Sequence, residues 1–84
     1  MIILNEDIKE IIIEVPAGHK HLRAFLVLED GTEMVFQEAT IANLVRAFIT
    51  LKTHPLKDKV KLKRVKLTDK KKGYAEWQLL ETED

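Results

Sequence analysis

The dipeptide Asp30-Gly31 sits between two runs of alternating polarity in "HLRAFLVLEDGTEMVFQ". A two-residue type I′ turn needs positive φ at both central positions, and Asp-Gly supplies it at low steric cost. On the ascending run Leu22, Ala24, Leu26 and Leu28 share one side, while Phe25 and Val27 occupy the other. Met34 and Phe36 continue the first side on the return. The pattern predicts an antiparallel hairpin, and it commits the N-terminal half of the chain to a sheet.

Upstream, "EIIIEVPAG" alternates Ile11, Ile13 and Val15 before Pro16 and Gly18 end the run. Ile8, Ile11, Ile12 and Val15 also satisfy helical spacing behind Asn5 as a cap. Four β-branched residues in the five from 11 to 15 decide for a strand.

Downstream the period changes. Ile41, Leu44, Val45, Phe48 and Ile49 recur at helical spacing, with Thr40 as the expected N-cap. Pro55 disfavours helical geometry at His54, so the helix should stop near Thr53. Asn43, Arg46, Thr50 and Thr53 form a narrow polar stripe flanked by Ala42, Ala47 and Leu51. So little polar surface predicts a helix buried on more than one side.

Two further strands follow. Val60 and Leu62 are out of phase with Val65 and Leu67, and a β-bulge at Lys63-Arg64 would reconcile them. In "YAEWQLLE", Ala75, Trp77 and Leu79 share a side, with Trp77 expected in the core. The expectation is an α+β fold in one domain spanning residues 1–84. It has an antiparallel sheet of about five strands in the order β-β-β-α-β-β, with one amphipathic helix packed on one face.

Five strands span about 24 Å, whereas a helix with its side chains covers ~10–12 Å. One helix therefore leaves part of a sheet uncovered, and the opposite face would carry Ile12, Phe25, Val27, Val35 and Leu80. A second copy of the chain is the simplest cover, which points to a homodimer. The expected interface is Ile12, Phe25, Val27, Val35, Phe48 and Leu51. A small barrel closing around the helix is the alternative.

Composition limits the chemistry. There is no cysteine and no serine, so thiolate, zinc-thiolate and serine-nucleophile sites are excluded. The three glycines, Gly18, Gly31 and Gly73, fall at expected turns, and no glycine-rich phosphate loop is present. His19 and His21 would project from one side of a strand, but neither a cysteine nor another histidine lies near them to complete a metal site. His54 is distant in sequence, and the carboxylates lack the spacing of a calcium loop. No catalytic residue, metal or cofactor is expected. No apolar run reaches the ~20 residues of a membrane span, and the N-terminus does not read as a signal peptide. The expected location is cytoplasmic.

Charge is the remaining signal. The net charge is zero, yet residues 56–72 hold nine of the fourteen Lys and Arg against Asp58 and Asp69, a local net of +7. Lys59, Lys61, Lys63, Arg64, Lys66, Lys70, Lys71 and Lys72 are therefore candidates for a nonspecific nucleic-acid contact on a hairpin over residues 57–72. The competing reading is that lysines guard an exposed strand against edge pairing, and no aromatic interrupts the run. The favoured expectation is a small noncatalytic protein-interaction domain that self-associates. Polyanion binding is the alternative.

Overall fold

The computed structural model describes residues 1–66 and 77–82. After a 3-10 turn at Asn5–Asp7 come β1 (Ile8–Glu14), β2 (Arg23–Leu28), β3 (Glu33–Gln37), α1 (Glu38–Thr53), β4 (Lys61–Lys66) and β5 (Trp77–Thr82). The α+β class and the β-β-β-α-β-β order are as expected. The five strands are divided between two antiparallel sheets, β1-β2-β3 and β4-β5. The chain forms two compact units, Met1–Ile41 and Ala42–Asp84.

In the first unit the register aligns Ile12, Phe25 and Val35 in one row across the three strands. The neighbouring row on that face, Glu10–Val27–Glu33, is acidic at both ends. The opposite face carries the rows Ile11–Leu26–Met34 and Ile13–Ala24–Phe36. Ala24 and Leu28 on this face are the buried apolar side chains among the described residues. The β1–β2 register shifts between Ile8 and Glu10, the hallmark of a bulge.

The β2–β3 hairpin forms with a different turn from the expected type I′. The Gly31 N–H donates to the Leu28 carbonyl at 3.0 Å, and the Leu28 N–H donates to the Thr32 carbonyl at 2.8 Å. Gly31 is left-handed at φ +90°, and no non-glycine residue described has positive φ. Glu29 and Asp30 therefore form a type I turn, with Gly31 as the left-handed residue of a three-residue loop. The Asp30 carboxylate accepts from the Thr32 N–H at 2.9 Å, a local bond that favours this geometry.

In the second unit β4 and β5 pair in continuous register, from Lys61 opposite Thr82 to Lys66 opposite Trp77. The bulge expected at Lys63-Arg64 is absent. Val65 simply points to the side opposite Leu62, because a two-stranded ribbon has no need to keep all its apolar residues on one face.

α1 starts at Glu38, directly after β3, so Thr40 lies inside its first turn and is not the cap. The Glu38 carboxylate accepts from the Leu22 N–H at 3.3 Å and lies 2.9 Å from His21 Nδ1, and a negative side chain suits a helix N-terminus. The helix ends at Thr53, before Pro55, as the sequence predicts. No residue of α1 is buried, in contrast to the expectation of a helix enclosed on several sides.

Candidate functional site

α1 is turned opposite to the usual amphipathic arrangement. Asn43 Nδ2 donates to the Leu79 carbonyl at 3.4 Å. Asn43, Arg46 and Thr50, together with Ala47 and Ile49, line a cleft of about 390 Å3 against Leu62, Leu79, Leu80 and Glu81 of the β4–β5 ribbon. The polar stripe thus faces the unit's own ribbon. Leu44, Val45 and Ile49 are about half exposed, and Phe48 is 62% exposed. Leu51 is exposed as well, and Lys52 Nζ lies 5.9 Å from the Phe48 ring centroid. An exposed apolar stripe of this size normally marks an interaction surface.

Of the interface residues expected from sequence, Phe48 and Leu51 lie on that helix. Ile12 and Val35 are exposed on the row they share with the half-buried Phe25, and half-buried Val27 occupies the acidic row beside them. Sequence reasoning missed the exposure of Leu44, Val45 and Ile49, because helical spacing identifies a stripe without saying what it faces. Ile11 and Ile13, which alternate on one side of β1 as the sequence predicts, are exposed.

The continuous β4–β5 register sorts the cations by face. Lys61 and Lys63 lie opposite Thr82 and Leu80 on one side of the ribbon. Arg64 and Lys66 lie opposite Leu79 and Trp77 on the other. Trp77, expected in the core, is 51% exposed. Arg64 Cζ is 5.2 Å from the Trp77 ring centroid and Lys66 Nζ is 6.0 Å from it, both within cation–π range. The structure therefore supplies the aromatic neighbour that the sequence of the basic run lacks. Lys59 is exposed just before β4 and, with Lys57, Val60, Lys61, Glu81 and Thr82, lines a recess of about 220 Å3. The Thr82 hydroxyl is buried there without a hydrogen-bond partner. Lys70, Lys71, Lys72 and Gly73 lie outside the described residues.

The histidines are separated in role. His21 pairs with Glu38, whereas His54 Nδ1 accepts from the Leu56 N–H at 3.3 Å. Among the described residues no three His, Asp or Glu side chains converge as metal ligands, and no helix is long and apolar enough to cross a membrane. No known protein family, curated protein or solved structure matches this chain.

Proposed function

We propose that this chain is a small noncatalytic interaction domain that self-associates as a homodimer through the apolar face of α1. The observation that carries the reading is the orientation of that helix, Asn43 and Thr50 toward its own ribbon and Leu44, Val45 and Phe48 toward solvent, with Ile49 half exposed at the edge of the cleft. Five large side chains, each roughly half exposed, present about 400 Å2, around half of the ~800 Å2 per partner in a standard interface. The exposed isoleucines of β1 are a second source of apolar area. A two-stranded ribbon is also marginal by itself, and a partner would relieve that weakness.

Charge favours a second copy as the partner. Residues 1–41 carry eight acids and three bases, and residues 42–84 carry eleven bases and six acids. The net charges of −5 and +5 complement each other when the first unit of one copy meets the second unit of another. A cysteine-free chain needs no oxidising compartment, which fits a cytosolic setting.

Sedimentation equilibrium at micromolar concentration should return twice the chain mass of 9.7 kDa. Phe48→Asp should weaken association by ~100-fold or more, because a central aromatic anchor becomes a desolvated charge. A wild-type monomer at tens of micromolar would sink the proposal.

A second reading is nonspecific polyanion binding by the basic ribbon. The specific observation in its favour is an exposed Trp77 flanked by Arg64 and Lys66.

A further inference from the structure

We propose that the Trp77 face of the β4–β5 ribbon is a stacking platform for single-stranded nucleic acid; this rests on the polyanion reading and names the ligand class within it. Tryptophan is usually well buried, so a half-exposed indole on a strand requires a reason. Its neighbours narrow the choice of ligand. The register puts Arg64, Lys66 and Trp77 on one face, with both cations close to the ring. A purely electrostatic site has no use for an aromatic. Two cations beside the ring favour an anionic ligand over an uncharged apolar one.

A nucleotide strand satisfies both halves. An unpaired base offers a free π-face to the indole, and its flanking phosphates meet the cations. Arg64 and Lys66 are two residues apart, ~6.6 Å, about twice the ~3.4 Å spacing of phosphates along one stacked strand. Farther along this face Leu62, Leu79 and Glu81 line the α1 cleft, and Lys61 and Thr82 lie on the other face, so the contact is confined to the Trp77 end of the ribbon. A strand crossing that end would engage about two nucleotides, ~6.6 Å at ~3.4 Å each. Duplex bases are already stacked on each other and have no free face to offer Trp77, which predicts a preference for single strands.

Trp77 is the single tryptophan of the chain, so its fluorescence reports on this site alone. The full chain is titrated at low salt with a ten-residue oligothymidylate, with a ten-base-pair duplex and with inorganic polyphosphate, which has charge but no bases. The expected result is quenching by oligothymidylate, weaker binding of the duplex and polyphosphate binding without comparable quenching. By anisotropy of a labelled strand, Trp77→Ala should bind oligothymidylate about 10- to 100-fold more weakly, with polyphosphate affinity unchanged. Trp77→Phe should recover most of the loss, and Trp77→Leu, which keeps bulk without an aromatic face, takes the place of the alanine form if that does not fold.

Oligothymidylate affinity unchanged by loss of the aromatic ring would overturn the platform and leave the polyanion reading standing. Absence of binding to every polyanion would remove both. A duplex bound more tightly than the single strand would overturn the platform in favour of a ribbon laid in a groove. Trp77 emission that shifts on self-association and ignores added strands would assign the face to a second copy.

Discussion

The two units of this chain are held together in different ways. Residues 1–41 contain a three-stranded sheet, a turn closed by side-chain and backbone bonds, and the two apolar residues buried among the described ones, Ala24 and Leu28. The described residues of the second unit contain most of a helix and a two-stranded ribbon, and none of them is buried. Their charge is opposite too, acidic in the first and basic in the second. A segment with few buried contacts opens at low free-energy cost unless something else covers it. The contrast teaches that the described apolar burial lies in the first unit, while the large apolar side chains along α1 in the second stay exposed.

The largest effect should come from attacking that division directly. Leu28→Ala removes a buried side chain of the first unit and should cost about 2–3 kcal/mol. Its urea midpoint should fall by the same amount at high and low protein concentration. Leu44→Ala removes an exposed side chain of α1, which within a single chain should cost less than about 0.5 kcal/mol. Where copies pair through α1 as proposed, its cost should rise with protein concentration. Concentration-independent losses of equal size for both variants would break the comparison and leave one cooperative unit.

What was legible in the sequence follows the same line. Element order, the hairpin about Gly31 and the helix stop before Pro55 depend on neighbours a few residues apart, and local chemistry specifies them. The turn type was misjudged because Asp30 uses its carboxylate to accept from Thr32, an option the dipeptide alone does not reveal. The division into two sheets, the outward turn of Phe48 and the exposure of Trp77 depend on distant pairing. Apolar periodicity marks a face that wants cover, but it does not say whether the cover comes from the same chain. The basic run illustrates the point: without the register, Trp77 read as core and the lysines as an isolated charged edge.

A smaller effect sharpens the picture of the first unit. Gly31 has φ +90°, and a Cβ built there meets nothing within 4 Å. Gly31→Ala therefore tests conformation without a packing clash, and it should cost about 1 kcal/mol through the left-handed backbone alone. Chemical denaturation should register that loss, and hydrogen exchange should place it in β2 and β3 while β4 and β5 keep their protection. Equal loosening of the ribbon would mean that the units are energetically coupled. No loss at all would mean that the turn can relax to a conformation open to alanine.

The smallest effect concerns Asp30 and its sign is set by the turn. The Thr32 N–H, and after it the Thr32 hydroxyl, hold the Asp30 carboxyl below its ordinary value of 3.8. A carboxyl depressed in the folded state stabilises that state fully above its unfolded pKa, and the contribution disappears as pH falls through the folded value. Asp30→Asn keeps an oxygen to accept from Thr32 but removes the charge. Wild type should therefore exceed the variant slightly in melting temperature at pH 7, and the difference should shrink below pH 4 and vanish near pH 2. The side chain is fully exposed, so solvent screening keeps the effect small and added salt should reduce it further. A difference that stays constant from pH 7 to pH 2 would show that shape rather than charge distinguishes the two residues. A difference confined to the exchange of β2 and β3 amides would place this charge, like the Gly31 backbone, in the support of the first unit alone.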